Sequence, residues 1–206
     1  MSVNLNRITR KINQAGKIYK NDLIGKTFII LYEGHSAEIM FGADNFKHLC
    51  GVESTMPAKD FYKKASKGLL SPSEISFTQK HPANLASLKT DHLSSALTMI
   101  TRDAFIITDI TTQTRIFKIG ATDLDLLLCF DSKLNTNGNP VGNLFVPYSL
   151  RVENIPNKKF NYMFEMDYVL SKQTSAPVYD TIVYGKIDKL AEYIQTHTLS
   201  ISTSFV

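Results

Sequence analysis

Two cysteines in 206 residues cannot build a disulfide framework, and Cys50 and Cys129 stand far apart in the chain, each inside an apolar run. Both read as small buried hydrophobes, neither a zinc site nor a redox pair, which suits a reducing compartment. No stretch reaches the roughly 18 to 20 apolar residues that a bilayer-spanning helix needs, and the basic N-terminus has no apolar signal core behind it. A soluble, cytoplasmic protein without a membrane partner is therefore expected. Also missing are a Walker-type glycine loop, a dinucleotide fingerprint, a His-Glu-x-x-His motif, a Cys-x-x-Cys pair and a Gly-x-Ser-x-Gly elbow. These absences set aside the common cofactor enzymes, so no cofactor is expected. The chain shows neither an internal repeat nor a low-complexity segment.

What is present is enough apolar material for a core: 43% of residues are hydrophobic and 20% charged, which fits a compact domain that needs no metal or disulfide to fold. The net charge of +4 is unevenly spread. Residues 1–26 hold Arg7, Arg10, Lys11, Lys17, Lys20 and Lys26 against Asp22, a balance of +5, and the remainder sums to −1. Lys47, Lys59, Lys63, Lys64 and Lys67 form a second basic cluster. This asymmetry points weakly to a polyanionic partner, and solvated helix faces explain it equally well.

Apolar spacing divides the chain into a basic amphipathic helix (1–25), an α+β domain (26–187) and a C-terminal helix and tail (188–206). Leu5, Ile8, Ile12, Ala15 and Tyr19 make one helical stripe. Thr27 to Tyr32, the turn Glu33 to Ser36, and Ala37 to Phe41 read as a β-hairpin. Asp44 or Asn45 caps a short helix, Phe46 to Cys50, that Gly51 stops. Pro57 to Lys67 forms a helix closed by Gly68, with Lys59, Lys63 and Lys67 outward. Ser71 to Glu74 has capping-box spacing for a turn through Phe77. A more apolar helix runs from Pro82 to Ile100, with His92 between Leu88 and Ala96. Strands follow at Ala104 to Ile110, Thr114 to Ile119, Leu124 to Phe130, Leu144 to Leu150, Tyr162 to Ser171 and Val178 to Gly185. Short connections imply antiparallel pairing for most of them. Asp131 to Gly142 is the most loop-like segment, a candidate border for a cleft. Ile187 to Gln195 is a terminal helix, and Leu199 to Phe205 an edge strand or a loose end.

Three groups offer chemistry. On the short helix, Phe46, Leu49 and Cys50 share one side and His48 points the other way, beside Lys47, as a general base requires. On the strands, alternation puts Tyr148 and Leu150 on one face and Ser149 and Arg151 on the other. Tyr179 to Lys186 offers a similar polar, aromatic face suited to phosphates and unpaired bases. Asp123 with Asp125, and Glu165 with Asp167, read as alternate strand residues that would serve a magnesium nuclease.

The hairpin, then Phe41-Gly42-Ala43-Asp44-Asn45-Phe46-Lys47-His48-Leu49-Cys50-Gly51-Val52, Phe61-Tyr62, Pro147-Tyr148-Ser149-Leu150 and Tyr179-Asp180-Thr181-Ile182-Val183-Tyr184-Gly185-Lys186, resembles the phage barnase/EndoU/colicin/RelE-like nuclease domains over roughly residues 26 to 187. Asn45, Phe46, His48, Leu49 and Gly51 meet the family pattern Asn-Phe-x-His-Leu-x-Gly. Lys47 stands where many relatives have a second histidine, and Arg151 where they have a leucine. The resemblance implies an α+β fold, helices before an antiparallel sheet, and a metal-independent ribonuclease carried by a phage or mobile element as a toxin or effector. RNA, and an antitoxin or immunity protein, would be its partners. It implies His48, Ser149, Tyr179 and Lys186 as site residues, and the strand reading adds Arg151. The 2′-hydroxyl of RNA would be the nucleophile, with His48 as general acid or base, Arg151 or Lys186 stabilising charge and Ser149 positioning a phosphate oxygen. Lys47, Lys59, Lys63, Lys67 and Tyr148 would hold the RNA. The alternative is a nuclease-fold protein that has lost turnover and binds nucleic acid or a partner protein.

Overall fold

The side chain of Asn4 accepts the backbone N–H of Arg7 at 2.9 Å and so opens the first helix, from which Ile8, Ile12, Ala15 and Tyr19 point into the interior. The computed structural model describes residues 4–112, 115–152, 160–185 and 187–196. Helices are α1 (Leu5–Ile18, continued by a π-helical turn Tyr19–Leu23), α2 (Phe46–Cys50), α3 (Ala58–Lys67), α4 (Ala83–Leu97) and α5 (Ile187–Thr196). Strands are β1 (Lys26–Tyr32), β2 (His35–Met40), β3 (Phe105–Thr111), β4 (Ile116–Thr122), β5 (Leu126–Leu134), β6 (Pro140–Val152), β7 (Tyr162–Glu165), β8 (Tyr168–Gln173) and β9 (Thr181–Tyr184). Helices ahead of a mainly antiparallel sheet make this an α+β fold. Among the described residues, no helix is long and apolar enough to cross a membrane.

The sheet runs β7-β3-β4-β5-β6-β2-β1-β8-β9, antiparallel throughout except where β2 meets β6 at Glu38↔Leu144 and Ile39↔Phe145. That parallel pair joins a hairpin formed before the helices to the β-rich second half. Helices α1, α3 and α4 cover one face. The basic helix α1 belongs to this layer: at Gly16 an added Cβ would stand 2.7 Å from the backbone of Ala65, so only glycine lets α1 and α3 approach this closely. Arg7 reaches Asp91 on α4 at 2.8 Å. Two smaller clusters pack on the opposite face, one around Ile29, Leu31, Leu170 and Leu190, the other around Ile107, Leu127 and Cys129. Cys50 and Cys129 are both fully buried, and neither is in a disulfide.

Five elements differ from the reading by periodicity. Tyr162 to Ser171 is two strands, because the Met166 N–H binds Ala104 O (3.2 Å) and the Asp167 N–H binds Leu31 O (2.9 Å), stepping the chain from the β3 edge to the β1 edge. Asp131 to Gly142 is mostly strand. Its turn chemistry is confined to Asn135–Asn139, where Asn135 Oδ1 accepts the N–H groups of Asn137 and Asn139. Asp123 and Asp125 lie in the β4–β5 turn, off the strands: Asp123 receives the Leu126 N–H, Arg102 donates to it at 2.6 Å, and Leu124 takes φ 80°. From Ser71 a single 3-10 turn forms, Pro72–Glu74, closed by the expected capping box. On α4 the buried face includes Lys89 and Thr90, whereas Leu88 is 42% exposed, so His92 is half-exposed and does not lie on an apolar face.

An aromatic knot pins α2 beneath the sheet. Tyr19 packs edge-on against Phe41, Phe46 and Tyr62, and Phe46 against Phe61 and Tyr62. Phe46 is wholly buried, so Phe46→Ala should cost about 3–5 kcal/mol, read as a lower urea midpoint at unchanged m-value.

Candidate active site

Local chemistry fixes α2 on every side. Asn45 Oδ1 accepts the Gly42 N–H at 3.1 Å, Phe46, Leu49 and Cys50 are buried, and Gly51 ends the helix at φ 68°. Lys47 is committed to structure: its ammonium donates to Ser54 O (2.8 Å) and Met56 O (3.1 Å), stapling the following loop to the helix. The one side of α2 not facing the core carries His48, which reaches β6.

The β5–β6 ladder slips between Cys129↔Ser149 and Phe130↔Pro147, which leaves Tyr148 as the extra residue of a β-bulge. Bulges redirect side chains, and this one turns Tyr148 to His48: the rings lie parallel within 6°, their centroids 5.9 Å apart. Tyr148 also meets Phe117 at 5.7 Å. The Arg115 guanidinium, from the β3–β4 connection, stands 4.4 Å from the centre of the same Tyr148 ring and 5.1 Å from that of Phe117. Asp131 accepts one of its N–H groups at 2.8 Å and holds it there. An imidazole, a phenol and a guanidinium thus converge from α2, β6 and the entrance to β4.

His48 is exposed at its outer edge, and its pKa is held below the ordinary histidine value, chiefly by loss of hydration where the ring meets the protein, with the charges of Lys47, His81 and Lys89 acting in the same direction and Glu53 against them. The ring is therefore neutral at pH 7 and able to accept a proton. His81 belongs to the same surroundings. Its Nδ1 lies 2.5 Å from Glu53 Oε1, which orients the ring. Glu53 is itself fixed by a bridge to Ser76. Among the described residues no group of three or more His, Cys, Asp or Glu side chains gathers as metal ligands would.

The other residues singled out in the sequence are not brought to His48 by any contact among the described residues. Ser149 is adjacent to Tyr148 and pairs with Cys129 on the face opposite the main core, in the cluster that also holds Phe117, while Leu150 enters the main core. Arg151, opposite Leu127, shares the Ser149 face. Tyr179 is buried on that far side too, donating its hydroxyl to Glu38 beneath the Lys172 ammonium, and burial together with Glu38 pushes its pKa up. Lys186 lies outside the described residues. Lys59, Lys63 and Lys67 project outward from α3, Lys59 facing Asp44 at 3.7 Å. Arg115 was not singled out in the sequence, where it falls within the expected strand Thr114 to Ile119; the structure starts β4 at Ile116 and leaves Arg115 in the β3–β4 connection. The signal available was an arginine two residues from Phe117, at the entrance to a strand.

The family model PBECR4, described as phage-Barnase-EndoU-ColicinE5/D-RelE like nuclease4, matches residues 11–188, from within α1 to the start of α5. No curated protein and no solved structure shows significant similarity to the chain.

Proposed function

The chain belongs to the phage-Barnase-EndoU-ColicinE5/D-RelE like nuclease family, and on that footing we propose that it is a metal-independent ribonuclease working at His48. One observation carries the reading: His48 and Arg115 both lie against Tyr148. Cleavage by the substrate's own 2′-hydroxyl asks three things of the protein. A proton must leave the 2′-oxygen as it attacks phosphorus, the extra charge on the phosphoryl oxygens must be stabilised, and the departing 5′-oxygen must be protonated.

Neutral His48 suits the first task. Arg115 suits the second, since a guanidinium held by Asp131 is aimed before the charge develops. His81, oriented by Glu53, is the nearby group of the right chemistry for the third. Tyr148 is 39% exposed, so part of its side chain stays open to a bound substrate. Lys59, Lys63 and Lys67 supply charge along the backbone path, so binding weakens as salt rises. A role as a toxin or effector of a mobile element, checked by an antitoxin or immunity protein, is consistent with such an enzyme.

The test is a comparison of substrates in excess chelator. Single-stranded RNA should be cut, and the same oligonucleotide with 2′-O-methyl groups should not. Cutting of the blocked strand, or dependence on added magnesium, would count against the proposal. The rate should also fall on acidification: a base whose pKa lies below the ordinary histidine value stays competent at pH 6.5 and loses activity only below it. The linkage has the same sign. Protonating His48 costs more in the folded state than in the unfolded, so its contribution favours the fold above pH 6.5 and is lost as pH drops through the folded pKa.

A further inference from the structure

We propose that a cavity between the β1–β2 turn and β7 is a subsite for an unpaired nucleobase carrying an exocyclic amino group, separate from the His48 site; in assigning a nucleic-acid ligand it rests on the ribonuclease reading above. The chain's two-residue step at Met166 and Asp167 brings the two arms of the sheet together here, leaving a cavity of about 630 Å³ lined by Tyr32, Glu33, His35, Thr108, Asp109, Tyr162 and Phe164. That volume is in the range of small-ligand sites.

Its walls are flat rings. Phe164 lies 5.4 Å from Tyr32, 5.9 Å from His35 and 6.0 Å from Tyr162, the last nearly parallel at 26°. Tyr162 is 64% exposed, a large aromatic left uncovered on an edge strand. Tyr32 and Phe164 also touch the main core.

Charge selects the ligand. The lining holds two carboxylates and neither lysine nor arginine, which disfavours a phosphate and favours a neutral ring with N–H donors. Glu33 sits at φ 43° in the turn, where its own N–H binds Asp167, and its carboxylate has no partner among the described residues. Asp109, at φ 50°, is braced by Asn161 at 3.0 Å and by Lys118 at 3.4 Å. An exocyclic amino group of guanine, adenine or cytosine would donate to these oxygens, whereas uracil has no amino group and its single ring N–H is flanked by two carbonyl oxygens that the carboxylates repel. The cavity shares no residue with the His48 group, and β2, about 20 Å long at 3.3 Å per residue over six residues, separates His35 from the approach to α2. A strand of RNA following β2 would place one base here while the bond being cut lies several nucleotides away.

The chain contains no tryptophan, so titration of the whole protein with guanosine, adenosine, cytidine and uridine can be followed by tyrosine fluorescence. The amino-bearing nucleosides should bind about tenfold tighter than uridine, and Tyr162→Ala should weaken them about tenfold through lost stacking. Glu33→Gln with Asp109→Asn, which preserve shape, should abolish the preference over uridine. His48→Ala should bind nucleosides as the natural chain does. Equal binding of all four nucleosides, no binding, or indifference to Tyr162→Ala would overturn the subsite. The two readings fail separately: nucleoside binding without RNA cleavage keeps the subsite and sinks the ribonuclease, and cleavage without nucleoside binding does the reverse.

Discussion

His48→Ala is expected to lower RNA cleavage by about 10²- to 10⁴-fold, the usual contribution of a positioned acid–base group, while the melting temperature stays nearly unchanged. The two readouts separate because His48 is the residue of α2 that the core does not use. Phe46, Leu49 and Cys50 carry the packing, Asn45 and Gly51 define the ends, and Lys47 ties down the next loop. Removing the imidazole uncovers one face of Tyr148 and leaves those contacts in place. His48→Gln, which keeps polarity and hydrogen bonding but cannot titrate, should be as inactive as alanine. A variant that loses its fold together with its activity would assign His48 a structural role instead.

Arg115→Ala should cost cleavage about 10²- to 10³-fold, since a preorganised cation acts on charge present only as the phosphorus gains its fifth oxygen. The loss should appear in kcat more than in KM, because in the proposed mechanism the lysines of α3 share the ground-state phosphate binding. Arg115→Lys should recover only part of it. Lysine keeps the charge but cannot lie flat over Tyr148 and Phe117 while donating to Asp131. Asp131→Asn is the companion variant. It keeps an acceptor for Arg115 but removes the opposing charge, so a smaller loss than with Arg115→Ala indicates that Asp131 positions the guanidinium. Stability should change little with any of these, as the Arg115–Asp131 pair is partly exposed.

Most of the helical half was legible because its signals are local. Asn45, the apolar phase of Phe46, Leu49 and Cys50, and the glycine stops at Gly51 and Gly68 act within a turn or two of chain, so their consequences follow from the sequence directly. The outward direction of His48 was legible for the same reason. What His48 meets was not. That depends on the β2–β6 parallel pair, which no short connection announces, and on the slip that makes Tyr148 the extra residue of a bulge. Alternation along β6 separates Leu150 from Ser149 and Arg151 but cannot place Tyr148, the extra residue of the bulge, and it does not say which face the helices cover. They cover that of Leu150, which leaves Ser149 and Arg151 on the far side. Tyr179 lies there as well, since its strand segment follows β8 beyond β1 and the α5 cluster packs around it. Arg115 is visible only once β4 and β6 are seen to flank β5.

The central claim is that His48 takes a proton from the 2′-hydroxyl of RNA, and the ends of the products test it most directly. Single-stranded RNA incubated with the whole chain in excess chelator should yield fragments ending in 2′,3′-cyclic phosphate and beginning with a free 5′-hydroxyl, and His48→Ala should yield neither. Fragments carrying 5′-phosphate, or cyclic ends formed equally by His48→Ala, would contradict the account.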